Sequence, residues 1–157
     1  MKTLVLGLGN PILSDDGAGI RVAQEVGKQL NDPQITVAET SEAGLRLLDS
    51  IVGYDKVIII DAVQTEKGRA GQIYRMGPED FSLTKHFSSP HQINLATSLE
   101  LGSALNLAMP QKITIFAVEA KNITSFSEKC TPKVEQAIPE VVKMVLEELN
   151  AKHPPEG

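Results

Sequence analysis

The sequence predicts an α/β fold, a three-layer α/β/α sandwich in which helices flank a mostly parallel sheet of about five strands. Runs rich in β-branched residues alternate along the chain with segments of helical periodicity, which is the pattern of βαβ units. One run, 57–60, is continuously apolar, as expected of a strand buried on both faces in the middle of the sheet. With 157 residues, 41% of them hydrophobic, the chain can form one compact core. We therefore expect a single domain over residues 1–151 and a frayed tail over 152–157.

The strands follow from composition and from the turn residues that separate them. They are predicted over Thr3–Leu8, Ile35–Glu39, Lys56–Ala62, Gln72–Met76 and Lys112–Glu119.

The helices follow from apolar residues that recur every three or four positions. They are predicted over 16–30, 45–52, 93–105 and 131–149, which makes the element order βαβαββαβα. An Asn-Asp-Pro sequence stops the first helix, Gly53 ends the second, and the third ends before Pro110. The last begins with Thr131 as N-cap and Pro132 at the first helical position. Pro139 inside it is expected to remove one backbone hydrogen bond and to bend the helix.

Composition excludes several classes of protein. The net charge is -5, and no Lys/Arg-rich run offers a footprint for nucleic acid. No apolar run approaches the roughly 18 residues that span a bilayer. The single cysteine, Cys130, can form neither an internal disulfide nor a CxxC zinc site, so we interpret it as a structural thiol. A reducing compartment, the cytoplasm, is predicted.

Three polar side chains are predicted at the carboxyl edge of the sheet, where open α/β folds bind ligands. Asp16 follows the first strand and opens the first helix, Asp61 directly follows the apolar run 57–60, and His91 opens the third helix. Two carboxylates and one imidazole can hold a divalent transition metal and leave a position open for substrate. The positive end of the helix dipole favours the neutral imidazole of His91, the form that binds metal.

Simpler interpretations stay open for each residue taken alone. An aspartate at a helix start is usually a cap, and Asp15 is the better N-cap candidate of the pair with Asp16. Asp61 alone could end a strand and bond to a loop, and a lone histidine is more often structural than a ligand. Only the prediction that all three residues lie at the same edge of the sheet favours a functional site. His86 and His153 have no partner in the pattern and are interpreted as solvated.

Other nucleotide and hydrolase motifs are weak or absent. Gly7–Pro11 looks like a phosphate-binding loop, but GxGxxG would need glycine where Ile12 stands. The chain has no GxxxxGK[ST] and no G-x-S-x-G, which excludes a Walker-type ATPase and a nucleophile elbow.

The sequence resembles the hydrogenase maturation endopeptidases over nearly its whole length. Residues 7–19 match the family's GxGNxLxxDDGxG start, a string that few other families share. Further landmarks follow in order: Asp61-Ala62 after an apolar strand, Gly68 and Gly71 in the next loop, and Ser89-Pro90-His91 before a Leu-rich helix.

The resemblance implies an endopeptidase of aspartyl or metal-dependent type that cuts once. Its partner would be the large-subunit precursor of a nickel-iron hydrogenase, whose C-terminal extension it removes after nickel insertion. Asp16, Asp61 and His91 fall on the family's metal-binding positions and would contact that substrate-borne nickel, with another divalent metal as a candidate in the isolated protein. The metal would polarise the scissile carbonyl or activate a water, and the nucleophile stays unassigned. No nucleic acid or membrane partner is implied, and a monomer is expected.

Two departures and two alternatives accompany the resemblance. Residues 39–44 replace a DGGT-like segment and Ala70 replaces a frequent proline, which affects the choice of hydrogenase rather than the chemistry. Glu42 in that loop is either a recognition residue or, more simply, a solvated charge. Peptidyl-tRNA hydrolases also begin with a strand and GLGNP, but they continue differently and need a tRNA partner, which an acidic chain disfavours. A non-catalytic nucleotide- or metal-binding module would use Gly7–Pro11 and Glu39.

Overall fold

The structure is a computed structural model that describes residues 1–41, 45–77 and 90–150, with the side chains of 45 and 90–96 excepted. The strands are β1 (Thr3–Leu8), β2 (Ile35–Thr40), β3 (Lys56–Val63), β4 (Ile73–Met76) and β5 (Lys112–Glu119). The helices are a 3-10 turn (Ser14–Gly17), α1 (Ala18–Gln29), α2 (Leu45–Ile51), α3 (Pro90–Ala104) and α4 (Pro132–Asn150). The predicted order βαβαββαβα is confirmed.

The strands form one five-stranded sheet in the order β2-β1-β3-β5-β4. All neighbours are parallel except β4, which runs antiparallel to β5 at the edge. The central position predicted for the run 57–60 is confirmed, because β3 is the middle strand. From β1 the chain crosses to β2 on one side and returns to β3 on the other. The carboxyl ends of β1 and β3 therefore flank the crevice where such sheets bind ligands.

Two apolar cores lie on the two faces of the sheet, which confirms the three-layer sandwich. On one face α1 and α4 pack against alternate sheet residues such as Ile58, Ile60 and Phe116. On the other face α2 and α3 pack against the intervening residues, among them Ile59 and Ile115. Side chains of a strand alternate between the faces, so each face of β3 buries every second residue.

Two glycines let α1 lie directly on the sheet. A Cβ on Gly19 would sit 2.3 Å from the carbonyl oxygen of Ile60, and one on Gly7 would sit 2.5 Å from the carbonyl oxygen of Gly19. These backbones touch where any side chain would intervene. The start of α1 is thereby held against β1 and against β3, the strand that carries Asp61.

The structure corrects two local predictions. Asp16 does not open an α-helix: it lies in the 3-10 turn, and α1 begins only at Ala18. Asp15 is not the N-cap, because the N-cap of α1 is Gly17 and makes no side-chain capping bond. In both cases hydrogen bonds to groups outside the helix hold the carboxylates, as described below. The prediction that Asp61 lies within the strand that begins at Lys56 is confirmed, since β3 extends to Val63 and pairs Asp61 with Ala117.

The remaining boundaries agree within a few residues. Helix α3 begins at Pro90, three residues before the predicted start, and α4 begins at Pro132 and contains Pro139, as predicted. The predicted tail 152–157, with His153, lies outside the described residues, as do Glu42 and His86. In the described part of the chain, no helix has the length and apolar character needed to cross a membrane.

A charged cluster closes the amino end of the sheet. Glu148 of α4 is 8% exposed and accepts hydrogen bonds from Arg75 at 3.0 and 3.1 Å and from Thr114 at 2.9 Å. The Lys56 ammonium donates to the Glu148 carbonyl at 2.8 Å. Burial would raise the pKa of Glu148, but the bonds from Arg75 and Thr114 and the nearby cations lower it overall. This cluster joins α4 to three strands at the edge opposite the candidate site.

Candidate active site

Asp61 is a buried carboxyl near the carboxyl end of the central strand. Its residue is 1% exposed. One oxygen, Oδ1, accepts a hydrogen bond from the N–H of Ala62 at 2.8 Å. The other, Oδ2, is buried and has no hydrogen-bond partner among the described residues. Buried polar atoms are normally paired, so an orphaned carboxylate oxygen at this edge calls for a functional explanation.

Asp16 lies in the turn that follows β1, and the chain folds closely around it. The residue is 7% exposed, and its Oδ2 accepts the N–H of Asn10 at 2.9 Å. Gly9 adopts φ +137°, and a Cβ there would lie 1.9 Å from the carbonyl oxygen of Asp16. Only glycine permits this approach. The Gly9–Asn10 turn of the sequence motif thus positions the Asp16 carboxylate.

The two carboxyl groups interact electrostatically. Burial raises the pKa of Asp61 well above its usual value, the Ala62 N–H opposes that rise, and the charge of Asp16 raises the pKa further. The structure therefore brings together two of the three predicted site residues. Asp61 lies in a setting that disfavours its charged form unless a positive group is supplied.

The backbone of His91 lies in the first turn of α3, as the sequence indicated. Helix α3 leads into β5, whose first residue is at the amino edge of the sheet, so its first turn points toward the carboxyl edge. Helix α3 covers the face of the sheet that buries Ile59 and Val63, and the alternation of side chains along β3 places Asp61 on that same face. The His91 side chain lies outside the described residues. Within the described ones, no three His, Cys, Asp or Glu side chains form a metal-binding group.

Asp15 is a buried carboxylate whose role sequence reasoning missed. It is 0% exposed. Its oxygens accept the N–H groups of Lys121 and Asn122 at 2.9 and 3.0 Å and the N–H and hydroxyl of Thr131 at 2.6 and 2.8 Å. The neighbouring aspartates therefore differ in role: Asp15 holds the β5–α4 loop, and Asp16 faces the candidate site. Nothing local in the sequence distinguishes them.

Glu119 is a second carboxylate at the carboxyl edge, and it is fully engaged. It accepts hydrogen bonds from the N–H and hydroxyl of Thr65 at 2.8 and 2.5 Å and from the Tyr74 hydroxyl at 2.9 Å. A Cβ on Gly68 would lie 1.6 Å from its Oε1, which explains that glycine of the motif. An acid ending an apolar strand was the signal that selected Asp61, and it would equally have selected Glu119. Because both of its carboxylate oxygens accept hydrogen bonds from Thr65 or Tyr74, Glu119 supports the β3–β4 loop.

Comparisons with known proteins agree with this architecture. The family model described as hydrogenase maturation protease matches residues 20–148. The hydrogenase 2 maturation protease of Escherichia coli K12 is 31% identical over 150 residues, which cover 93% of this chain and 89% of that protein.

Solved structures give the same result. The hydrogenase maturating endopeptidase HybD from E. coli superposes with a TM-score of 0.84 at 29% identity, covering 96% of this chain and 93% of that one. The [NiFe] hydrogenase maturation protease HybD from Thermococcus kodakarensis shares the fold, with a TM-score of 0.75 at 24% identity over 97% of this chain and 100% of that one. These matches favour the endopeptidase prediction over a peptidyl-tRNA hydrolase or a non-catalytic module. The chain belongs to the hydrogenase maturation protease family.

Proposed function

We propose that this protein is a cytoplasmic, monomeric endopeptidase that removes the C-terminal extension of a nickel-iron hydrogenase large-subunit precursor once nickel has been inserted. The observation that carries the proposal is the buried Oδ2 of Asp61, which has no hydrogen-bond partner among the described residues and lies where the charge of Asp16 acts on it. A carboxylate oxygen without a donor is an available ligand, and the family supplies the peptidase activity.

The nickel belongs to the substrate, and Asp16, Asp61 and His91 are the residues proposed to contact it. Carboxylate oxygens and a neutral imidazole are suitable ligands for a divalent transition ion. The Oδ1 of Asp61 already accepts a hydrogen bond from the Ala62 N–H, and the Oδ2 of Asp16 accepts one from the Asn10 N–H. Each carboxylate is thus oriented by the backbone of its own loop or strand, as ligands supported by outer hydrogen bonds usually are.

The electrostatics of the pair explain why nickel would act as a checkpoint. Without a cation, burial and the charge of Asp16 favour the protonated form of Asp61. A divalent cation reverses that preference, since metal binding requires the ionised carboxylate. A precursor that carries nickel would gain this interaction, and a precursor without nickel would not. The charge of the site therefore favours the nickel-loaded precursor.

The test is the intact mass of a large-subunit precursor from the same organism after incubation with this protein, with and without prior nickel loading. We expect loss of one C-terminal peptide from the nickel-loaded precursor only. Asp16→Asn, Asp61→Asn and His91→Ala should each abolish the cut. The exposed Asp49→Asn and the tail variant His153→Ala are matched controls that should cut normally.

Three results would contradict the proposal. Equal cleavage of the nickel-free precursor would remove the checkpoint. Normal cleavage by any of the three site variants would remove that residue from the site. No change in mass with any large-subunit precursor of the organism would overturn the assigned substrate.

A further inference from the structure

Two loops meet beside the turn that carries Asp16. The β5–α4 loop, residues 120–131, lies against the loop that follows β1. The N–H of Ser14 donates to the Ser127 carbonyl at 2.9 Å, and the N–H of Ser127 donates to the Ile12 carbonyl at 2.9 Å. With the bonds to the Asp15 carboxylate, these contacts join the two loops into one surface at the carboxyl edge.

This joined surface presents an apolar pair, Ile12 and Phe126, to solvent. The Phe126 residue is 83% exposed and Ile12 is 48% exposed. Phe126 directly precedes Ser127, whose N–H is bonded to Ile12, so the two residues are neighbours across the joined loops. An aromatic residue this exposed adds little to the apolar core, and with Ile12 beside it the ring is available to an apolar partner.

The loop that carries Phe126 is held in place by hydrogen bonds. Asn122 Oδ1 accepts the N–H groups of Thr124 and Ser125, both at 3.0 Å, and Asn122 Nδ2 donates to the Ser125 hydroxyl at 2.9 Å. Asp15 holds both ends of the loop. A side chain displayed on a backbone that is already ordered loses less conformational entropy when it binds a partner.

We propose that the apolar pair Ile12 and Phe126 is the docking contact for the folded large-subunit precursor, and that it takes an apolar patch of that protein next to its C-terminal extension. The inference rests on the proposed function. Ile12 lies four positions before Asp16 on the loop that follows β1, so the apolar pair is at the same edge of the sheet as the candidate site and is within reach of a large folded substrate bound there. Buried aromatic anchors contribute most of the affinity in many protein interfaces.

Exposed leucines elsewhere on the described surface supply a control. Leu105 is 58% exposed and Leu107 is 40% exposed, and both lie between α3 and the start of β5, at the amino edge. They resemble Phe126 in chemistry but are on the side away from Asp16.

The experiment compares cleavage kinetics of the nickel-loaded precursor for Phe126→Ser, Ile12→Ser and the control Leu105→Ser. We expect KM to rise about 10- to 30-fold for Phe126→Ser, with less effect for Ile12→Ser, while kcat stays near that of the unaltered protein. Thermal unfolding should be unchanged for Phe126→Ser, because that residue is almost fully exposed, and should fall only slightly for Ile12→Ser and Leu105→Ser, which are about half-buried.

Unchanged kcat/KM for Phe126→Ser, or an equal loss for Leu105→Ser, would overturn the docking contact while leaving the proposed function intact. A self-association in sedimentation that Phe126→Ser abolishes, without a change in KM, would also overturn it and assign the pair to a second copy of this chain. Absence of cleavage by the unaltered protein would instead overturn the proposed function, and this inference with it.

Discussion

The carboxylate of Asp15 accepts two hydrogen bonds from Thr131, 116 positions further along the chain, at 2.6 and 2.8 Å. Two more come from the backbone at the end of β5. One buried carboxylate thus links the turn after β1 to the loop before α4. Asp16, the next residue, has a different surrounding at the candidate site.

Replacing Asp15 should destabilise the protein far more than replacing Asp16. In Asp15→Ala, four partly buried donors lose their acceptor, and we expect the free energy of unfolding to fall by about 3 kcal/mol. Asp16→Asn keeps an oxygen that can accept the Asn10 N–H, so a change of about 1 kcal/mol or less is expected. Urea unfolding of both variants measures the difference. Equal losses would show that Asp15 is no special anchor.

Asp61→Asn should abolish processing. It should also remove the loss of folding stability that ionisation of Asp61 causes as the pH rises. The pKa of Asp61 in the folded state lies well above the usual 3.8, so the folded state binds more protons than the unfolded state between those two values. The free energy of unfolding of the unaltered protein therefore falls as the pH rises through that window.

The asparagine variant lacks this titration, so its stability relative to the unaltered protein should improve as the pH rises above about 4. Denaturant titrations at a series of pH values give the comparison, with Asp49→Asn as the exposed control. A difference that is independent of pH would mean that Asp61 is ionised in the folded state.

Alanine substitutions at two glycines of α1 should act in opposite directions. A Cβ at Gly19 would lie 2.3 Å from the backbone oxygen of Ile60, so Gly19→Ala forces α1 off the sheet and should prevent stable folding. A Cβ at Gly27 meets its nearest atom, on Val37, at 3.6 Å, an ordinary contact. Gly27→Ala should therefore stabilise by roughly 0.5–1 kcal/mol through helix propensity. Thermal melts decide, and tolerance of Gly19→Ala would contradict the close approach.

Glu148→Gln should destabilise the protein at neutral pH and lose that effect in acid. The pKa of Glu148 is lowered in the folded state, so its contribution is present above the unfolded-state value of 4.5 and is lost as the pH falls through the lower folded-state pKa. The substitution leaves the half-exposed Arg75 without an ionised partner, while Lys56 keeps its bond to the Glu148 carbonyl, so the expected cost is about 2 kcal/mol at pH 7.

The matched control for Glu148 is Glu25→Gln, since Glu25 pairs with Lys28 on the exposed face of α1. That variant should change the stability by less than about 0.5 kcal/mol. A Glu148→Gln loss that persists unchanged below pH 4.5 would show that packing, not charge, holds this corner of the sheet.

The fold could be predicted largely from the sequence because its signals are local. The run 57–60 is apolar at every position since β3 is buried on both faces, and β5 was predicted with its observed bounds. The boundary errors fall where contacts with residues outside the helix override its local preference. Asp16 was placed in an α-helix, but the close packing of Gly9 against it and the bond from Asn10 hold it in a 3-10 turn.

The sequence by itself determined the order of the strands and helices along the chain. It also determined the edge of the sheet at which Asp16 and Asp61 lie. These depend on periodicity, on turn residues and on the rule that parallel strands share a carboxyl edge. Only the tertiary structure decided that Asp15 is an anchor, that both oxygens of Glu119 accept hydrogen bonds, and that one oxygen of Asp61 has no partner among the described residues. The reason is physical: hydrogen-bond partners come from segments distant in the chain, and desolvation is set by what packs around a group, so neither is encoded in the neighbouring residues.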